Sequence, residues 1–212
     1  AEFNVQPQMV AGHTVTEDGK QWDLTLREGL KFHDGEPVLA RDCVATIKRW
    51  AQRNPMGGAL LLRLDEISAP SDKVIRIRLK KPFALLPAAL AEVYCAMMPE
   101  RLAKTDAMAQ IPEAIGSGPF RFMAAERVPG SRVAFERNPA YVPRPDGRAS
   151  FNAGPKIVHL DRVVWNFIPD PATAAAAPTR NTRWRWRIAG RLPCRWRGNC
   201  WARLPTWCRR NS

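Results

Sequence analysis

The chain has 212 residues, enough for one large domain or two small ones, and its 45% hydrophobic content is ordinary for a globular protein. Its formal net charge of +13 first suggests a polyanionic partner such as a nucleic acid. A membrane-spanning helix needs roughly 18 consecutive apolar residues. The nearest stretch, Phe83 to Met98, is broken by Pro87 and Glu92, so we expect a soluble body.

Most of the net positive charge lies in the C-terminal part of the chain. Residues 1–177 hold 23 Lys and Arg against 20 Asp and Glu, whereas residues 178–212 hold ten Arg and no acidic residue. Five of the eight tryptophans and three of the five cysteines also lie in these last residues. Two unrelated compositions are therefore joined near residue 177, and the basic character belongs to the tail.

The first predicted elements are a strand, a loop and a helix. Apolar and polar residues alternate from Trp22 to Arg27, which indicates a half-exposed strand after a turn at residues 16–20. Two glycines and a proline make residues 27–37 a loop. A helix ending at Asn54 follows. Its apolar face comprises Cys43, Val44, Ile47, Trp50 and Ala51, and its outward residues are Arg41, Lys48, Arg49 and Gln52.

A second half-exposed strand is predicted from Lys73 to Lys80, because Ile75, Ile77 and Leu79 alternate with basic residues. Pro82 ends this strand. The apolar run from Phe83 to Ala91 predicts a short buried helix.

Two further strands are predicted as a pair around a turn at Pro129–Gly130. Their alternating apolar residues are Phe120 and Phe122 on one side and Val133 and Phe135 on the other.

Residues 157–168 are apolar on both faces in their second half, which favours a buried central strand. Asp170 then resembles the N-cap of a helix that begins at Pro171. Strands and helices are mixed without strict alternation, so we predict an α/β or α+β fold with a mixed sheet.

Five phrases, in order, resemble the dipeptide-, oligopeptide- and nickel-binding proteins of ABC importers, the solute-binding protein family 5. The resemblance covers about residues 15–177. The phrases are WDLTLREGLKFHDG at Trp22–Gly35, ARDCV at Ala40–Val44, GSGPF at Gly116–Phe120, ERNPAY at Glu136–Tyr141 and IPDPAT at Ile168–Thr173. Two positions depart from the family: Leu39 stands where Thr or Ser often precedes the helix, and Val142 replaces an aromatic residue.

The resemblance implies a two-lobed, monomeric receptor that closes on a peptide or similar small solute and docks on an inner-membrane permease. Residues 1–112 would form the small subdomain of the first lobe, N-terminally incomplete, and residues 113–177 would begin its main sheet. The second lobe is absent from this sequence. The family also implies a periplasmic location for the intact protein, whose signal peptide this sequence does not contain. We expect such a partial lobe to be poorly soluble and to lack specific solute affinity.

Gly116, Ser117 and Gly118 are the candidate ligand-binding residues, since the resemblance places this loop near the cleft between the lobes. Judged by residue type alone, the same glycines form a tight turn that lets the backbone approach a neighbouring element. Phosphate binding is not favoured, because the Walker and dinucleotide spacings are missing and Pro119 removes one backbone donor.

We find no pattern for catalysis, for a metal or for a cofactor. His13, His33 and His159 are isolated from other potential ligands, and for His33 a structural role in its loop is favoured. Ser117 is not in a Gly-x-Ser-x-Gly elbow and has no identifiable base, so an enzyme built around it is the weakest of three hypotheses.

The tail of residues 178–212 has two interpretations. Arg contacts phosphate and Trp stacks on bases, so one alternative is a basic nucleic-acid-binding protein. The preferred hypothesis is a frameshift near Ala177. Reading GC-rich Ala-Leu codons one base out of register produces Arg-Trp, and such a tail would be disordered.

The frameshift hypothesis predicts the content of the adjacent reading frame. Translated in that frame, the DNA around codons 170–180 should encode an Ala/Leu-rich helix followed by a Gly-acid-apolar-Asp phrase. Sequencing the genomic DNA checks this. An uninterrupted gene whose adjacent frame lacks that phrase would contradict the hypothesis.

Overall fold

The computed structural model describes residues 5–148, 153–170 and 172–173, which form two antiparallel sheets and four helices. No helix in this part of the chain is long and apolar enough to cross a bilayer. A 3-10 turn at Ala124–Glu126 follows the fifth strand. The strands and helices in chain order are β1 (Val10–Val15), β2 (Gln21–Leu26), α1 (Ala40–Arg53), α2 (Pro55–Leu61), β3 (Leu64–Ser68), β4 (Val74–Leu79), α3 (Leu86–Leu90), α4 (Glu100–Ala103), β5 (Phe120–Phe122), β6 (Arg132–Arg137) and β7 (Arg162–Asn166).

The first sheet has the strand order β1-β2-β4-β3. Its two inner strands, β2 and β4, are the two that apolar alternation predicts, and both predictions are confirmed. Trp22 pairs with Ile77 and Leu24 with Ile75. The outer strands β1 and β3 were not predicted, because their exposed residues show no such alternation.

The main core lies between this sheet and the helices. Ile77 of β4 and Leu60 of α2 have no exposed surface, and Phe32 from the loop after β2 is only 1% exposed. The predicted buried helix is confirmed as α3, whose Leu86 and Ala89 are completely buried. Loop, helices and sheet therefore share one apolar cluster.

Helix α1 begins without a polar N-cap side chain, because Leu39 occupies that position. Asp42, three residues later, compensates: its Oδ2 accepts the Leu39 N–H at 2.9 Å, and its Oδ1 accepts the N–H of Glu100 at 2.8 Å. The same buried carboxylate thus fixes the start of α1 and joins it to α4.

The prediction that Arg49 faces away from the core is wrong. Arg49 is 5% exposed, and its guanidinium donates to Thr105 Oγ1 at 3.0 Å and to the Ala109 carbonyl at 2.8 Å. The segment after α4 folds over this edge of α1 and supplies oxygen acceptors for a buried cation. Periodicity along α1 alone contains no sign of that segment.

The second sheet has the strand order β5-β6-β7. The predicted strands around Phe120 and Phe135 are confirmed as β5 and β6, and Gly130 makes their turn with φ +71°. The predicted start of a helix at Asp170 is also confirmed, because its Oδ2 accepts the N–H of Thr173 at 2.6 Å. The residues beyond Thr173, including the tail, lie outside the described ranges.

The prediction of a buried central strand at residues 157–168 differs from the structure. Within the described residues β7 is an edge strand, and Trp165 and Phe167 are each 65% exposed. One face carries Phe122, Phe135 and Trp165 in consecutive contact, with ring centroids 6.0 and 5.2 Å apart. The segment is apolar as predicted, but no other part of the described residues packs over its exposed apolar side chains.

The predicted combination of helices and strands is confirmed, although every strand pair among the described residues is antiparallel rather than mixed. Cys43 and Cys95 are free and buried in the core, as expected for residues that pack rather than cross-link. Burial raises the pKa of each thiol to about 12.

The contact of α2 with α1 yields a matched pair of glycine substitutions. A Cβ on Gly57 would lie 2.4 Å from the Ala51 Cα, whereas a Cβ on Gly58 meets no atom within 4 Å. Gly57→Ala should therefore lower the free energy of unfolding by about 1–3 kcal/mol. Gly58→Ala should raise it by up to about 1 kcal/mol through helix propensity. Urea denaturation checks both, and equal stability of the two variants would contradict this packing.

Candidate functional site

Four segments distant in sequence meet where the two sheets adjoin, and we call this group of contacts the junction. They are the segment that leads into the first residue of β1, the loop after β2, the loop before β5 and the loop after β6. Three of the five family phrases supply junction residues. The residues that make its contacts are Gln8, Met9, Val10, Arg27, His33, Gly116, Ser117, Gly118, Asn138, Tyr141, Val142 and Arg144.

His33 contacts the candidate loop Gly116–Gly118 on both sides of Ser117. Its backbone N–H donates to the Gly116 carbonyl at 2.9 Å, and its Nδ1 accepts the Gly116 N–H at 3.2 Å. Its Nε2 lies 3.1 Å from the Gly118 carbonyl oxygen. His33 therefore has a structural role, as predicted, but the loop that its ring contacts is Gly116–Gly118, a partner that the sequence did not indicate.

Neither glycine of the loop has a positive φ, so the backbone conformation does not require glycine. A Cβ on Gly116 would meet His33 Cε1 at 3.6 Å, an ordinary contact. A Cβ on Gly118 would meet no atom within 4 Å. The predicted tight turn that only glycine would permit is thus not found, although the Gly116 backbone does bond to His33, and Gly118 borders open space.

Ser117 is half-buried, and its hydroxyl lies 4.0 Å from the sulfur of Met9. His33 is close in space but bonds the backbone on either side of Ser117. Within the described residues no base contacts this hydroxyl. The geometry therefore gives Ser117 no means of activation as a nucleophile.

Asn138 also holds the loop, through the same Gly118 carbonyl that His33 contacts. Its Nδ2 donates to the Gly118 carbonyl at 3.2 Å, its Oδ1 accepts the Ala140 N–H at 3.1 Å, and its own N–H donates to the Pro119 carbonyl at 2.8 Å. Asn138 is 6% exposed. A buried side chain with these bonds fixes the start of β5 to the end of β6.

Two arginines extend the junction towards β1. Arg27 donates to the carbonyls of Gln8 at 3.2 Å and Val142 at 2.7 Å, and Arg144 donates to the Val10 carbonyl at 2.6 Å. Burial lowers the pKa of Arg27, Tyr141 opposes this shift, and Arg144 adds to it. Both guanidiniums therefore donate to carbonyls of the short segment from Gln8 to Val10 and share one region of the junction.

Val142 and Gly29 pack together in the same region. Gly29 has φ +75°, a conformation that favours glycine, and a Cβ built on it would lie 3.6 Å from Val142 Cγ2. The departure from the family's aromatic residue is therefore accommodated by direct contact with the loop after β2.

The charges of Asp34 and Arg121 lie beside the His33 ring. Asp34 is paired with Arg101 at 3.0 Å, and Arg121 with Glu136 at 3.3 Å. Burial is the main cause that lowers the pKa of His33; the Gly118 carbonyl and Asp34 raise it, and Arg121 lowers it. The neutral imidazole is thus favoured by its surroundings.

A cavity of about 670 Å³ lies elsewhere, on the outer side of α1 against α4 and the end of β3. Its charged lining residues include Arg41, Lys48, Glu100 and Lys104. The Gly116–Gly118 loop is not part of it. Among the described residues no group of three His, Cys, Asp or Glu side chains could hold a metal ion.

The sequence indicated the loop itself but not its supports. The hydrogen-bonded residues His33 and Gly116 are 83 residues apart in the sequence, and Arg27 and Val142 are 115 residues apart. Asn138 lies in the ERNPAY motif and Arg144 lies three residues after it, but nothing else in the sequence indicated that either residue supports the loop. These contacts arise only when the two sheets are brought together.

The family model for bacterial extracellular solute-binding proteins, family 5 Middle, matches residues 4–182. A probable peptide ABC transporter periplasmic-binding protein of Sinorhizobium fredii is 43% identical over 176 residues, covering 81% of this chain and 32% of that protein. The nickel-binding periplasmic protein of Escherichia coli is 29% identical, and the alignment covers 84% of this chain and 32% of that protein. The chain therefore spans about a third of the length of these curated relatives.

Solved structures give the same fold. The periplasmic binding protein DppA of Helicobacter pylori, in complex with the peptide STSA, aligns with a TM-score of 0.66 at 21% identity. The alignment covers 85% of this chain and 37% of that one. The likeness confirms the expected partial lobe of the periplasmic-binding-protein type.

The buried guanidinium of Arg144 supports a stability prediction. Its side chain is 8% exposed, whereas its ion-pair partner Asp146 is 68% exposed. Arg144→Ala removes the donor to the half-buried Val10 carbonyl and should lower the free energy of unfolding by about 1–3 kcal/mol. Asp146→Ala, the control, should cost less than about 1 kcal/mol. Chemical denaturation measures both, and equal losses would contradict the importance of the Val10 bond.

Proposed function

The chain belongs to the bacterial extracellular solute-binding proteins of family 5, and we propose that the protein captures a peptide or comparable small solute for an ABC importer. The resemblance drawn from the sequence motifs is thus confirmed. The family consists of transport proteins that bind substrates, and nothing in the comparisons supports the nucleic-acid-binding alternative.

The proposed architecture divides the chain as the family does. Residues 1–112 form the small subdomain of the first lobe, and residues 113–177 begin its main sheet. The two separate sheets support this division, because the first lies within residues 10–79 and the second within residues 120–166. The solute would be enclosed by hinge closure of this lobe against a second one.

The remaining parts of the proposal follow from the same membership. The intact protein would act outside the cytoplasm as a monomer and deliver its solute to a permease in the inner membrane. It would bind and release the solute without catalysis and without a cofactor. The similarity to binding proteins named for periplasmic peptide and nickel transport supports this role.

A peptide is the solute we favour, because the 43% identical relative is described as a probable peptide transporter component. The observation that supports a binding site for this peptide is the geometry of the Gly116–Gly118 loop. Within the described residues the N–H groups of Ser117 and Gly118 donate to no acceptor. Successive free amide donors suit the carbonyl or carboxylate oxygens of a peptide backbone.

Gly118 also borders open space, so a solute can approach the loop at this residue. Gly116 is occupied by its bonds to His33, and its role in the proposal is to orient Ser117. The three residues therefore contribute in different ways. Ser117 and Gly118 would donate to the solute, and Gly116 would anchor them.

Gly118→Val tests this site in the longest natural gene product that contains residues 5–173. The new side chain points into open space, so the unfolding temperature without solute should stay close to that of the parent. Its bulk should lower peptide affinity at least about tenfold, an effect of roughly 1.4 kcal/mol. Isothermal titration after a thermal-shift screen of di- to pentapeptides measures the affinity.

Gly12→Val is the matched control, because Gly12 lies in β1 and its Cβ would also meet no atom within 4 Å. This variant should keep the parent's peptide affinity. Equal affinities in the parent and the Gly118→Val variant would exclude the loop as a contact. The absence of binding to every peptide in the screen would contradict the peptide assignment itself.

A further inference from the structure

The two ring nitrogens of His33 contact backbone groups of opposite character. Nδ1 faces the Gly116 N–H, which can only donate, so Nδ1 must carry a lone pair. Nε2 faces the Gly118 carbonyl, which can only accept, so Nε2 must carry the proton. The loop therefore selects the neutral imidazole with hydrogen on Nε2.

Protonation of His33 would affect these bonds unequally. The Nε2–H bond to Gly118 persists in the imidazolium, because Nε2 remains a donor. A proton on Nδ1 would instead face the Gly116 N–H at the present separation of 3.2 Å, donor against donor. The Gly116 N–H would then lose that bond, while the Gly116 carbonyl keeps its bond to the His33 backbone N–H.

We propose that His33 is a positioning residue whose neutral form holds the amides of Ser117 and Gly118 in the orientation that receives the solute. This inference rests on the proposed function. Protonation of His33 leaves Gly116 held only through its carbonyl, which still accepts the His33 backbone N–H, while Asn138 still holds the Gly118 carbonyl. The Gly116 amide is then no longer oriented by the ring. Solute binding therefore weakens in acid, because the two donors are no longer fixed together.

The direction of this pH dependence follows from the groups around the ring. Asp34, next to His33, is bound to Arg101, which also lies 3.6 Å from Glu113. Arg121 of β5 is bound to Glu136 of β6. Burial, as the largest cause, lowers the pKa of His33 below its ordinary value of 6.5.

Folding favours the neutral form of His33, and this sets the sign of its contribution to the pH dependence of stability. Above pH 6.5 the unfolded and folded forms are both neutral, and the full contribution of His33 to stability is present. Below that pH the unfolded form takes up its proton first, so the contribution falls until the lowered native pKa is reached. Peptide affinity should follow the titration of His33 in the native protein. That titration lies at lower pH than the titration of His33 in the unfolded chain.

The first measurement needs no solute and no variant. In the ¹⁵N-labelled protein used for the Gly118 test, NMR should show His33 protonated on Nε2 alone at neutral pH, with a native pKa below that of a histidine peptide. The Gly116 amide signal should shift with the same titration. A proton on Nδ1 at neutral pH, or a Gly116 amide that ignores the titration, would overturn the inference.

The second measurement follows peptide affinity from pH 8 to pH 5 in the protein used for the Gly118 test. Affinity of the parent should fall about fivefold, the effect of one hydrogen bond. His33→Gln keeps an amide donor for Gly118 but does not titrate, so its affinity should not vary with pH. His13→Gln, a substitution of the exposed histidine in β1, should retain the parent's pH profile.

The two measurements separate the possible failures. A correct tautomer with affinity that is independent of pH in the parent would overturn the positioning role and leave the proposed function intact. No peptide binding at any pH would overturn the proposed function and the positioning role together. The hydrogen bond between His33 and Gly116 would then be tested by the NMR measurement alone.

Discussion

The antiparallel register of β2 with β4 is the constraint on which the other contacts depend. It places Leu24 beside Ile75 on the face that α1 covers, and Asp23 beside Arg76 on the opposite face. The Arg76 guanidinium donates to both carboxylate oxygens of Asp23, at 2.9 and 2.7 Å. A slip of one residue would put a charge into the core and an apolar side chain into water. The register of this inner pair is therefore strongly specified.

The same register fixes where the junction forms. Strand β2 ends at Leu26, and the next residue, Arg27, donates its backbone N–H to the Met9 carbonyl at 2.9 Å. The loop that begins there carries His33 to the Gly116–Gly118 segment. Family phrases that are far apart in sequence thus meet as neighbours. Their residue types suit contacts between segments as much as contacts with a solute.

Much of the fold could be predicted where local pattern and tertiary environment agree. β2, β4 and the pair β5–β6 alternate because each has one covered face, and α1 shows its apolar stripe for the same reason. Helix α2 was missed because its two glycines oppose helix formation, although Gly57 permits its close contact with α1. Arg49 was misplaced because its partners lie about 56 to 60 residues away. The site could be predicted only as a loop, since the supports of that loop are long-range contacts.

The two body cysteines show how packing can control reactivity. Cys43 is 1% exposed and Cys95 is 7% exposed, and burial raises the pKa of both thiols to about 12. At neutral pH these thiols therefore stay protonated, whereas the thiolate is the species that attacks a disulfide or an oxidant. Neither sulfur can readily meet an oxidoreductase while the domain stays closed. The native core is thus compatible with an oxidising compartment without a cross-link, and its cysteines would become vulnerable during folding rather than afterwards.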